Sequence, residues 1–301
     1  MTDHVQQPMH ADEVPVDERL VRRLLRTQFP TLGALPLTIV EEWGTDNAIW
    51  RLGDDLVVRL PRIAWARGQV PRDATWLPRL APHLPTAIPE PVAVGEPGDG
   101  YPFAWAIHRW IDGEPARLDR MDDRRAFARD LAAVVDRLQR IPTDDAPPAR
   151  NRARPLAAYD EATRVVIDGA AHLIDAAAAL AVWEAGLAAR PHAGRPVWVH
   201  GDLEGNVLLR DGRLAGVVDW GSLCIGDPAV DVQVVWSPLF DDESRAVFIE
   251  SIGVDDDTVA RSRAAAINQA CAALPYYLHT YPGIVERSRA KLAVLGVDPA
   301  G

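Results

Sequence analysis

At 301 residues, with 48% hydrophobic and 25% charged residues, the chain has the composition of a folded globular protein and exceeds one ordinary core, so two lobes about a cleft are expected. A formal net charge of −11 argues against a nucleic-acid or anionic-membrane partner and favours a cationic small molecule. The two cysteines, Cys224 and Cys271, lie far apart without a CxxC or Cys/His spacing, which argues against a disulfide framework or zinc site, and no export signal or membrane-length apolar run is read; a cytoplasmic setting is expected, and nothing assigns an oligomeric state.

The N-terminus is polar, and residues 1–14 are expected to be disordered. Val16, Leu20, Leu24 and Leu25 follow helical spacing, with Asp17 in the first turn, so a helix is predicted from Val16 to Phe29, stopped by Pro30. Short β-type runs come next, Leu37–Trp43, Asn47–Leu52 and Leu56–Leu60, with Gly53-Asp54-Asp55 turning the last two. A helix over Gln69–Leu80 and strands at Pro91–Val94 and Phe103–Trp110 complete a small mixed lobe. From Ile111 the pattern turns helical, with segments at Asp122–Ile141, Leu156–Ile167, His172–Ala189 and several after Pro228. The expected class is α+β, an antiparallel-sheet N-terminal lobe over residues 1–109 and a larger, mainly helical C-terminal lobe over 110–301.

One β-rich patch interrupts the helices, and it carries the chemistry. Val197–Val199 lead into His200-Gly201-Asp202, then Asn206; Val207–Leu209 and Leu214–Val218 form a hairpin turned by Asp211-Gly212 that delivers Asp219. Two acids and an amide at the ends of neighbouring strands suit a magnesium-nucleotide site, because the metal takes hard oxygen ligands and a free carboxylate can accept the proton of an attacking hydroxyl.

The run from Val197 to Trp236 resembles the catalytic loop and metal-binding turn of the aminoglycoside phosphotransferase family, relatives of the protein kinases: His-Gly-Asp, an Asn soon after, Val-Asp-Trp, then Gly-Asp-Pro and a further Asp, all in order. The resemblance implies a two-lobed protein-kinase-like fold, with Asp202 as catalytic base, Asn206 and Asp219 as magnesium ligands, and His200, Asp227 and Asp231 bracing the loop. In the family the Asn commonly falls five residues after the catalytic Asp, whereas here Leu203-Glu204-Gly205 leaves it four beyond, and Gly205 must absorb the change.

The resemblance extends to the strand Leu56–Leu60. Kinases place a Lys there to hold the nucleotide's phosphates, paired with a helix acid; this chain has a single lysine, Lys291, so Arg59 takes the position and Asp73 the acid's. Gly44, Thr45 and Asn47 occupy the hairpin that should cover the phosphates, and Arg109, Trp110 and Ile111 the connector that should meet the base. The implied cofactors are ATP, with GTP as the alternative, and Mg2+.

After Asp219 the chain reaches Gly226-Asp227-Pro228 almost at once, which leaves no room for a long protein-docking segment, so the acceptor is a small hydroxyl compound. Asp241 and Asp242, with Tyr276 and Tyr277, are the candidate lining of its pocket, and acids there suit an aminoglycoside. The expected enzyme is an ATP-dependent O-phosphotransferase acting on an aminoglycoside-type antibiotic. Its alternatives are a macrolide or a choline- or homoserine-like metabolite kinase and, in another class, a nucleotide-binding pseudokinase sensor.

Overall fold

The structure is a computed structural model that describes residues 10, 12–40, 45–149 and 153–300. Two compact units divide the chain: the first comprises Met1–Pro82, Ala87–Asp112 and Val217–Gly221, the second His83–Thr86, Gly113–Gly216 and Ser222–Gly301.

In the first unit, α1 (Glu18–Gln28) forms where Leu20, Val21, Leu24 and Leu25 make one buried stripe. Asp17 lies one residue outside the helix, as its N-cap, where its Oδ1 accepts from Leu20 N–H at 2.7 Å and satisfies a donor the first turn leaves open. Five strands follow, β1 (Leu37–Ile39), β2 (Asn47–Leu52), β3 (Leu56–Pro61), β4 (Pro91–Gly95) and β5 (Trp105–Arg109), with α2 (Gln69–Leu80) after β3. Of the strand expected over Leu37–Trp43, β1 covers Leu37–Ile39, and residues 41–44, Trp43 and Gly44 among them, lie outside the described residues.

The sheet is antiparallel in the order β1-β2-β3-β5-β4. Register decides which side chains serve the core. Val58 and Leu60 of β3, Trp50 and Leu52 of β2, and Trp105 and Ile107 of β5 pack with the α1 stripe. By strand alternation the other face carries Arg59, which pairs with Ile49 and Ala106, together with Asn47 and His108. A one-residue slip would bury Arg59 in the apolar core.

His108 on that face is 3% exposed, and its Nε2 has no partner among the described residues. Burial, with Arg59 nearby, pushes its pKa from 6.5 down to about 3. A group depressed on folding contributes stability above its unfolded pKa and loses it as pH falls. The stability of wild type relative to His108→Leu is therefore expected to fall by up to about 1.4 kcal/mol per pH unit below about 6.5. Urea unfolding from pH 7.5 to 4.5 reads this, and a gap that stays constant would refute it.

In the second unit a short β6 (Glu114–Pro115) precedes α3 (Arg124–Gln139), α4 (Asp160–Ala170) and α5 (Ala176–Ala188). Then come β7 (Val197–Val199), β8 (Val207–Arg210), β9 (Arg213–Val217), β10 (Cys224–Gly226), the one-turn α6 (Ala229–Val232), α7 (Asp242–Ile252), α8 (Asp256–Tyr276) and α9 (Pro282–Val294). The helix expected from His172 starts instead at Ala176, because Asp175 is its N-cap, accepting from Ala178 N–H at 3.0 Å. No helix of the described residues is long and apolar enough to cross a membrane.

The centre of this unit is α8, whose buried face is mostly small: Ser262, Ala264, Ala265, Ala266 and Ala270. Small side chains let α5 approach closely at Gly186. A Cβ built there would collide with Ala264 Cβ and lie 3.1 Å from the Ala260 carbonyl oxygen. Backbone on one side of the contact leaves little room to yield, so Gly186→Ala is expected to destabilise the protein by about 1–3 kcal/mol, measured as a drop in urea midpoint.

Candidate active site

In the first unit, β3 and α2 bring Arg59 and Asp73 together. Arg59 Nη1 donates to Asp73 Oδ2 at 2.7 Å, and Nη2 donates to Gln69 Oε1 at 2.8 Å and to Asp219 Oδ1 at 2.5 Å. The guanidinium serves the three oxygens from two nitrogens of one planar fork, where a lysine would offer a single ammonium. Arg59 is 6% exposed and Asp73 1%, so the pair lies in low dielectric. Burial pushes Asp73 up to about 6, against the pull of Arg59. Arg59 itself is lowered by burial but raised more by Asp219, Asp73 and Asp46, and stays charged.

Asp219 follows β9 with φ of 53°, in the left-handed region that Asp tolerates better than most residues. That twist turns its carboxylate out of the strand, leaving the side chain 34% exposed. The following turn is held by Arg72, which donates to the Gly221 carbonyl. Asp46 is raised by burial and by the Asp219 charge, and its carboxylate accepts from Trp65 Nε1 at 3.0 Å and Thr45 Oγ1 at 3.2 Å.

Of the hairpin residues, Thr45 thus sits against Asp46, while Asn47 is 1% exposed with its amide 3.0 Å from Gln69 Oε1. Gly44 is outside the described residues. In the connector, Arg109 N–H donates to Glu90 O at 2.9 Å and Trp110 N–H to Asp55 O at 2.8 Å, so both are spent on the sheet; the Ile111 N–H has no backbone partner among the described residues. Arg51 stacks over the Trp110 ring at 4.5 Å.

In the second unit, β7 pairs antiparallel with β10, Val199 opposite Cys224, and hands the chain to the loop His200–Asn206. Asp231 braces it. Its Oδ2 accepts from His200 N–H and its Oδ1 from Gly201 N–H, both at 2.8 Å. Asp231 is wholly buried, and burial raises its pKa despite those two bonds. Gly201 has φ of 82°, and a Cβ there would lie 3.0 Å from the Ser222 carbonyl oxygen, so glycine is required.

Asp202 N–H then donates to His200 Nδ1 at 3.2 Å, and Asn206 Nδ2 donates to the Asp202 carbonyl at 2.7 Å, which closes the short loop; Gly205, φ 83°, takes up the missing residue. The β8–β9 turn has both Asp211 and Gly212 at positive φ, 52° and 73°, the backbone a two-residue hairpin of this type needs. Asp227 links β10 to α8: Arg261 Nε donates to its Oδ2 at 2.7 Å, and Ala229 N–H to its Oδ1 at 2.9 Å.

The four residues suggested for an acceptor pocket have diverse placements. Asp241 is the N-cap of α7, in a capping box with Ser244, and reaches Arg124 at 3.3 Å. Asp242 pairs with Arg245 at 2.6 Å and is fully exposed. Tyr276 and Tyr277, at the C-terminal end of α8, meet edge to face with ring centroids 4.8 Å apart.

Sequence reasoning did not single out Gln69, Arg72 or Gln269. Gln69 lies four residues before Asp73 on α2, and that helical spacing was the available signal for it; Arg72 is the neighbour of Asp73 and no spacing marks it. Gln269, on α8, donates from Nε2 to Asp202 Oδ1 at 2.6 Å, and nothing local in the sequence announces it.

The model of the phosphotransferase enzyme family matches residues 41–267. The aminoglycoside 3'-phosphotransferase of Escherichia coli is 28% identical over 233 residues, covering 71% of this chain and 84% of that protein. Among solved structures, the GDP and kanamycin complex of APH(2")-IIia aligns with a TM-score of 0.70 at 18% identity, covering 92% of this chain and 97% of that one. The macrolide 2'-phosphotransferase MphH from Brachybacterium faecium aligns with a TM-score of 0.61 at 25% identity, over 91% and 98%. The α+β, protein-kinase-like fold expected from the sequence is the one these structures share. Matched along most of its length and folded in the same way, the chain belongs to the phosphotransferase enzyme family and is a phosphotransferase with an alcohol group as acceptor.

Proposed function

We propose that the enzyme transfers the γ-phosphoryl group of ATP to a hydroxyl of an aminoglycoside-type small molecule, with Asp202 as the base that orients and deprotonates it. The observation that carries the reading is the state of the His200–Asn206 loop. Two charge-assisted bonds to buried Asp231 hold its backbone, so the Asp202 carboxylate is presented by a rigid frame.

Arg59 is the proposed phosphate-binding cation, kept in place by Asp73 and Gln69. Ile111, whose N–H is not committed to the sheet, is the proposed contact to the base, with Arg109 and Trp110 shaping the connector. Asp219 and Asn206 are the proposed magnesium ligands. Each by itself offers a hard oxygen: the Asp219 bonds from Arg59 and Gly221 go to Oδ1, which leaves Oδ2, and Asn206 donates from its Nδ2, which leaves the amide oxygen. Two protein oxygens suit magnesium, which takes one or two and completes its shell with phosphate and water. When bound, magnesium neutralises charge developing on the transferring phosphoryl group.

The aminoglycoside class is chosen on the Escherichia coli relative. A macrolide is the second reading, favoured by MphH and by the helix-capping and ion-pair roles of Asp241 and Asp242, which make a poor argument for a cation pocket. The test is release of the nucleoside diphosphate, ADP or GDP, and product mass with kanamycin, erythromycin, choline and homoserine, each with MgATP and MgGTP. Turnover of kanamycin with ATP is the expected result; inertness towards all four acceptors would overturn the reading.

A further inference from the structure

Lys291 is the chain's single lysine, and it is buried, 2% exposed, on α9. Its Nζ donates to Gln269 Oε1 at 2.6 Å and forms an ion pair with Glu204. Gln269 Nε2 in turn donates to Asp202 Oδ1 at 2.6 Å. Glu204 belongs to the same loop as Asp202 and stands in the short stretch Leu203-Glu204-Gly205 that precedes Asn206. Its side chain is 11% exposed, and its other oxygen has no partner among the described residues.

We propose that Lys291 is a positioning residue for phosphoryl transfer, acting through Gln269 to fix the Asp202 carboxylate. A carboxamide has an acceptor end and a donor end, and either can face a neighbour. An ammonium only donates, so Lys291 accepts no orientation of Gln269 except the one with Oε1 towards it, and that turns Nε2 onto Asp202. Asp202 Oδ1 is thereby tied down and the carboxylate plane is set for the hydroxyl it must meet. Glu204 balances the buried ammonium, without which Lys291 would be an uncompensated charge in the interior. The proposal rests on Asp202 being the base of the reading above.

The first test is the Gln269 side-chain amide in 1H–15N spectra, assigned by its loss in Gln269→Leu. In wild type its protons exchange slowly with solvent. In the double variant Glu204→Gln/Lys291→Met, which removes both charges together so that neither is left unpaired, the resonance shifts and exchange quickens. An unchanged amide in the double variant overturns the proposal whatever the acceptor.

The second test is kinetic, at a temperature where every variant is folded. Gln269→Leu and the double variant lower kcat for MgATP-dependent phosphorylation of kanamycin by about 10–100-fold, with KM for kanamycin and for MgATP within about twofold of wild type. A folded double variant with wild-type kcat would show the pair to be structural only. Wild type inert towards kanamycin and the other acceptors fells the proposed function, while the amide spectra still decide whether the relay exists.

Discussion

Asp202→Asn is expected to lower kcat for phosphoryl transfer by about 10²–10⁴-fold, the range for loss of a positioned general base. It should leave KM for the nucleotide and the thermal midpoint close to wild type. The separation follows from how the loop is built. What holds its backbone is Asp231, through the N–H groups of His200 and Gly201, and the bond from Asn206 Nδ2 ends on the Asp202 carbonyl, so none of these uses the Asp202 side chain. An amide at position 202 keeps the shape and still offers an oxygen to Gln269 Nε2, but it cannot take a proton from the acceptor. Single-turnover transfer to kanamycin, alongside calorimetric melting, measures both halves. Wild-type kcat in Asp202→Asn would remove Asp202 from the chemistry, and a large drop in midpoint would mean that its carboxylate holds the loop after all.

What the sequence made legible is what is local along the chain. The order His200-Gly201-Asp202, Asn206, Asp219, Asp227 and Asp231 needs no tertiary knowledge, and neither does the Asp211-Gly212 hairpin, whose two positive φ angles are the reason those residue types were chosen. The meeting of Arg59 and Asp73 was within reach because a strand residue and a residue on the helix that follows it lie 14 apart in sequence. Gln269 and Lys291 were out of reach. Gln269 comes to Asp202 from α8 across a sequence separation of 67, and Lys291 comes to Gln269 from α9; a helix packed on several neighbours carries no pattern that tells which of its polar residues turns inward. Asp241 and Asp242 carry a signal that has two sources. An acid run reads as a possible cation site, yet the first turn of a helix attracts the same residues to satisfy its own N–H groups, and α7 uses Asp241 in that way. The three-residue strand β10 left no trace either, because its pairing with β7 is a tertiary contact and Gly226 and Pro228 look like loop.

Arg59→Ala should do more damage to stability than any surface charge reversal, about 3–5 kcal/mol, because it leaves the carboxylate of Asp73, 1% exposed, without its cation. Arg59→Lys keeps a charge but reaches fewer oxygens: one compact ammonium replaces a fork that donates to Asp73, Gln69 and Asp219 together, so a smaller loss of stability and a raised KM for MgATP are expected. Neither variant alone separates a structural ion pair from a phosphate-binding group. The double variant Arg59→Met/Asp73→Leu does, because replacing a buried pair by apolar residues of similar size is often neutral for folding. Urea unfolding of that variant should recover most of the stability lost in Arg59→Ala, while titration with MgATP should show binding weakened as much as in the single variant. If nucleotide binding returned together with stability, Arg59 would be no more than the partner of Asp73. If binding stayed lost in a protein as stable as wild type, the guanidinium would be the group that meets the phosphates, and the contact from Nη2 to Asp219 in the structure would mark where that charge waits before the nucleotide arrives.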